Sequence, residues 1–121
     1  MPTKEKRKHA RVTSLNLSYF CLDQNDKIVK QGMGRTLNVS ESGILLETPF
    51  PIDSNHTVLL NIGLEEDIVD IKGKPIHSKT NDLGLHEVGI QFLKISETTR
   101  KKLKKYIKVF VDKKDEAGPP E

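Results

Sequence analysis

The stretch VTSLNLSYFCLDQNDKIVKQGMGRTLNV, residues 12–39, holds two long runs separated by four polar residues. In the first run Leu15, Leu17, Tyr19 and Cys21 fall at every second position, the period of a β-strand with one face turned to a core. The interruption DQND (23–26) has turn composition, and a second extended run follows it. The same alternation recurs outward from this pair. Strands are expected at 12–22, 28–39, 43–48, 57–63, 68–79 and 85–94, with further turns at PFPIDSN, GLEED and TNDLG. In the last of them Val88, Ile90 and Phe92 point one way, Gly89, Gln91 and Leu93 the other. Six short strands joined mostly by hairpins predict an all-β, six-stranded antiparallel β-barrel, since closure removes exposed edges.

The period changes at SETTRKKLKKYIKVFVDKK. Leu103, Tyr106, Ile107 and Phe110 stand at i, i+3, i+4 and i+7, while Lys101, Lys104, Lys105 and Lys108 fill the remaining faces. This is an amphipathic C-terminal helix, with Ser96 as its N-cap and Glu97 in the first turn. The organisation expected is one domain: a flexible basic arm at 1–11, the barrel at 12–95, the helix at 96–114 and a disordered tail at 115–121. A chain of 121 residues is long enough to bury one core without disulfides or metal.

Charge is unevenly spread. Residues 1–11 carry five basic residues against Glu5, a net +4, and residues 100–114 carry eight against Asp112, a net +7. Between them, residues 12–99 hold seven basic and twelve acidic residues, a net −5. The basic arm lacks the long apolar stretch of a signal peptide, so it is read as part of the mature protein. No apolar run approaches the ~20 residues of a membrane span. The single cysteine, Cys21, lies on the apolar face of its strand and is expected to be a small buried hydrophobe, which with the rest fits a reducing, cytoplasmic setting.

No catalytic constellation is visible. Ser40 lacks the flanking glycines of a nucleophile elbow, and His9, His56, His77 and His86 are scattered without metal-ligand spacing. GMGRTL starts like a dinucleotide fingerprint but lacks the third glycine and falls within an expected strand. The expectation is therefore a binding protein, not an enzyme, with no metal or cofactor.

Two polar constellations do stand out. Arg7 and Arg11 lie four apart in the basic run EKRKHARV, and Asn38, Ser40 and Gly43 form an N-x-S-x-x-G pattern between two strands. Arginine presents a planar fork that engages phosphate, or the O6 and N7 edge of guanine, bidentately. Asn and Ser supply short polar groups, and Gly43 allows either a positive φ or a close backbone approach.

Together, RKHAR (7–11) and NVSESG (38–43) resemble the RxxxR and (D/N)xSxxG signature of PilZ domains, bacterial receptors for the second messenger cyclic di-GMP. EVGIQF (87–92) is similar to the late Gly-x-x-Phe strand of that family, and the resemblance covers roughly residues 5–110. It implies a six-stranded barrel whose arm wraps over bound ligand. Arg7 and Arg11 would contact phosphates and guanines, and Asn38, Ser40 and Gly43 would hold guanine from the barrel side. Lys6 stands where charge in this family influences whether one ligand or a stacked pair binds, and its charge leans toward the pair. Asn38 is a permitted variant of the commoner Asp. The function implied is a single-domain receptor that changes its N-terminal surface on binding, the arm being mobile beforehand and ordered afterwards, and signals through a partner protein. Two alternatives carry other expectations. One is a protein-interaction module of the same fold that no longer binds nucleotide. The other is a small single-stranded nucleic-acid-binding barrel, disfavoured by only four Phe, two Tyr and no Trp as stacking platforms.

Overall fold

Alternation in the sequence carries directly into burial. In β1 (Asn16–Leu22) the side chains of Leu17, Tyr19 and Cys21 are buried while Asn16 is exposed and Ser18 and Phe20 are partly covered. Five more strands follow, β2 (Ile28–Val39), β3 (Gly43–Thr48), β4 (Thr57–Leu64), β5 (Asp67–Thr80) and β6 (His86–Phe92), with alternation clear over Ile68–Pro75 of β5 and lost where the first half of β2 and the last residues of β5 lie exposed. These elements come from a computed structural model that describes residues 16–64 and 67–117, with the side chains at 64, 67 and 113–117 left aside. The arm at 1–11 with Lys6, Arg7 and Arg11, the expected first residues of the opening strand, and residues 118–121 lie outside the described residues.

All six strands pair antiparallel in the closed order β1-β2-β3-β6-β5-β4. Inward residues from every strand, among them Leu46, Val58, Leu60, Ile62, Ile71, Val88 and Ile90, form one apolar cluster. The turns are built by side chains. Asp23 accepts hydrogen bonds from the backbone N–H groups of Asn25 and Lys27, at 2.8 and 3.0 Å, and Asp26 takes φ 62°. Asn81 does the same for Leu83 and Leu85, at 2.9 and 3.1 Å, and Gly84 supplies φ 80°.

The helix α1 (Glu97–Ala117) packs beside β2 and β5, and its Leu103, Tyr106 and Phe110 enter the barrel cluster with Ile107 at the margin. Ser96 caps it: the Thr99 N–H donates to Ser96 Oγ at 3.1 Å. Inside, the Thr36 and Tyr106 hydroxyls share a hydrogen bond of 2.6 Å. Burial pushes the Tyr106 hydroxyl above its ordinary pKa, and the bond to Thr36 partly offsets this.

The helix runs three residues past the expected end at 114. Glu116 and Ala117 are strong helix formers, and the stop signal is the Gly118-Pro119 pair beyond them. The last strand is shorter than the expected 85–94. After Phe92, whose N–H reaches Ser42 O at 2.8 Å, the chain turns so that Leu93 N–H donates to Lys72 O at 2.9 Å, and it leaves the sheet toward the helix.

Candidate functional site

Two β-bulges shape one patch of the barrel's outer face. In β2 the register passes from Thr36↔Leu46 to Asn38↔Leu45, leaving Leu37 as the extra residue. In β5 it passes from Pro75↔Ile90 to His77↔Gly89, leaving Ile76 extra. Bulges re-aim the side chains that follow them. As a result Asn38, Leu45, Gly89 and His77 form a single cross-strand row over β2, β3, β6 and β5.

That row is the middle of a shallow open groove of about 400 Å³, whose lining also includes Ser40, Ser42, Gly43, Ile76 and Gln91. Asn38, Ser40 and Gly43 are thus brought together, each in a distinct role. Asn38 uses its side-chain oxygen to accept the Val39 N–H at 3.0 Å, which leaves its amide N–H groups without a partner among the described residues. Ser40 closes the two-residue turn to β3. Its N–H donates to Gly43 O at 2.9 Å, and its hydroxyl accepts the Ser42 N–H at 3.2 Å beside the Ser42 hydroxyl at 3.1 Å. Gly43 serves close approach: a Cβ there would stand 2.5 Å from the backbone oxygen of Ile90, and its φ is not positive.

His77 and Gly89 are site residues that motif reading passes over. The imidazole lies across Gly89, in the space that a Cβ there would occupy. Ile76 beside it is 59% exposed. Two sequence signals mark this corner: a proline inside a strand pattern, Pro75, which favours a bulge, and an isolated strand glycine, Gly89, which marks close approach.

The next row along the same face is charged. Arg35 grips Glu47 Oε1 through Nε at 3.0 Å and Nη2 at 2.9 Å, and Asn81 Nδ2 donates to Glu47 Oε2 at 2.9 Å and Glu87 Oε2 at 3.2 Å. Lys79 stands 3.8 Å from Glu87. Glu47 is only 8% exposed, and these partners supply the hydrogen bonds that its two carboxylate oxygens would otherwise lack. The row pins β2, β3, β6 and β5 at one end of the groove. At the other end Glu41, in the turn, faces Arg100 of α1 at 3.5 Å.

Chemically the groove offers amide donors, hydroxyls, an imidazole and a glycine floor, which suits recognition of a planar polar ring. The groups whose pKa burial raises, Tyr19, Cys21 and Tyr106, belong to the barrel core and not to this surface. Among the described residues no cluster of three or more His, Cys, Asp or Glu is placed to hold a metal, and no helix is long and apolar enough to cross a membrane.

The family model for the PilZ domain matches residues 5–108. The chain belongs to the PilZ domain family. Among solved structures this PilZ domain is similar to that of CeSA from a cellulose-synthesizing bacterium, with a TM-score of 0.57 and 10% identity over 79% of this chain and 93% of that one. It is similar to the PilZ domain of YcgR from Escherichia coli, which was solved with cyclic di-GMP, with a TM-score of 0.57 and 14% identity over 84% of this chain and 87% of that one. It also resembles MrkH of K. pneumonia in its apo state, at a TM-score of 0.60 and 13% identity, covering 93% of this PilZ domain and 55% of MrkH. At such identities the likeness is one of fold. No curated protein matches the chain.

Proposed function

We propose that this PilZ domain is a cyclic di-GMP receptor that acts through a partner protein. The observation that supports this most directly is the convergence of Asn38, Ser40 and Gly43 on one outer-face groove in a chain of this family. A guanine laid in that groove meets the Asn38 amide on one side, His77 on the other and the glycine floor beneath. Arg7 and Arg11 bind phosphate and guanine from the opposite side, and Lys6 adds charge that favours a stacked pair of ligands. Closing the arm over a dianionic ligand changes the N-terminal surface, and that surface is what the partner reads. The bound YcgR structure is consistent with the ligand class.

Calorimetric titration of the full chain with cyclic di-GMP, beside GMP and a short oligonucleotide, tests the reading. Saturable binding of cyclic di-GMP in preference to both controls is expected. Arg11→Ala is expected to weaken it by about 2 kcal/mol or more, as loss of a charge-assisted bidentate contact does, whereas the exposed helix change Lys104→Ala leaves it nearly unchanged. Tighter binding of the oligonucleotide would replace the receptor reading with the nucleic-acid one.

A further inference from the structure

The turn carrying Ser40 separates two hollows. Ser42 and Gln91 line the groove described above, and the same two residues line a second cavity of about 350 Å³ on the far side. The rest of that cavity is Glu41, Phe92, Leu93, Lys94, Ile95 and Arg100. The two hollows adjoin at Ser42 and Gln91, which line both. They differ in charge: the described lining of the first holds no lysine or arginine, while the second holds two cations and one carboxylate.

Arg100 is positioned firmly at its root and loosely at its tip. Its N–H donates to Ser96 O at 2.9 Å in the capped first turn of α1, which fixes the backbone. Its Nη1 stands 3.5 Å from Glu41 Oε1, with the two side chains 39% and 49% exposed. An ion pair that long and that open is screened by water, so the guanidinium is readily given up to a stronger anion. Its planar fork of donors matches a phosphate diester.

We infer that Arg100, with Lys94 beside it, binds a phosphate of the cyclic dinucleotide whose guanine occupies the Asn38 groove, so that one ligand spans both hollows. This rests on the cyclic di-GMP reading above. Arg100 exchanges Glu41 for the phosphate, and the Glu41 carboxylate, left close to a dianion, opposes binding. The second hollow thereby makes α1 part of the ligand site.

Titrating the unaltered chain, Arg100→Gln and Glu41→Gln with cyclic di-GMP, with a thermal melt of each as a check on folding, separates this role from a structural one. Both substitutions remove the same ion pair, so a purely structural pair predicts equal shifts in Kd. A phosphate-binding Arg100 predicts a split. Arg100→Gln weakens binding about tenfold or more, as loss of a charged hydrogen bond does. Glu41→Gln binds as tightly as the unaltered chain or a few fold tighter, because a like charge is removed. Arg100→Lys, which keeps the charge and loses the fork, falls between. Equal shifts in the two glutamine variants, or an unchanged Kd in Arg100→Gln, would overturn the inference while leaving the receptor reading intact. Failure of the unaltered chain to bind cyclic di-GMP would overturn that reading and this one with it.

Discussion

Two glycines in the groove make opposite demands at the scale of single residues. A side chain at Gly43 meets the Ile90 carbonyl, a backbone atom fixed in the β3–β6 ladder, whereas one at Gly89 meets the His77 ring, the far end of a side chain that can swing outward. Gly43→Val is therefore expected to cost about 1–3 kcal/mol of stability together with ligand affinity, as overpacking does. Gly89→Ala should change stability by about 0.5 kcal/mol or less and act mainly on affinity, through His77. Urea unfolding alongside calorimetric titration of both variants checks the contrast, and equal stability losses would contradict it. Gly43 could be read as a site residue from N-x-S-x-x-G, but of the two explanations for it, positive φ or close approach, only the register against β6 decides. Pro75 and Gly89 signal the corner where His77 lies, but the position of its ring was hidden for a related reason. Its place at the far end of the cross-strand row that begins at Asn38 depends on a one-residue bulge at Ile76, and no periodicity rule counts an extra residue.

Among elements, the helix is the one whose packing was open to inspection in advance, because a stripe at Leu103, Tyr106, Ile107 and Phe110 can only be buried against something apolar. What it touches was not. Thr36 reads as one polar residue in an alternating strand, yet it is 4% exposed and its hydroxyl is hydrogen-bonded to that of Tyr106. Tyr106→Phe strands the Thr36 hydroxyl and is expected to cost about 1–3 kcal/mol. Adding Thr36→Val to Tyr106→Phe should recover much of that loss, giving a coupling energy of about 1 kcal/mol in a double-mutant cycle. Independent, additive effects would show that the bond does not join helix and barrel energetically. Element boundaries proved less legible than element types. The strand end at Phe92 is set by cross-strand bonds to Ser42 and Lys72, which a local window does not weigh, whereas the helix end at Ala117 follows a Gly-Pro stop signal that the sequence itself carries.

The whole molecule closes around three groups that do not readily ionise. Burial raises the pKa of Cys21 above its ordinary 9.0 and of Tyr19 and Tyr106 above 10.0, so the folded chain keeps these protons to higher pH than the unfolded chain does. Their contribution is fully present below pH 9 and is lost as pH climbs past the ordinary values toward the raised ones. Urea midpoints measured from pH 8 to 11 are expected to fall on the alkaline side, and a flat profile there would refute the assignment. Fold class was the most legible property at this scale. Six alternating runs have few ways to cover their edges, and the ring β1-β2-β3-β6-β5-β4 is one of them. That ring constrains how news of a bound ligand can travel. A sheet with an edge can gain a strand, lose one or slide, but a closed hoop with every strand hydrogen-bonded on both sides has no edge at which to do so. On the receptor reading proposed above, the barrel then serves as a fixed chassis, and the effect of a bound ligand is expected in what is joined to it, such as the helix that follows the chain's departure after Phe92.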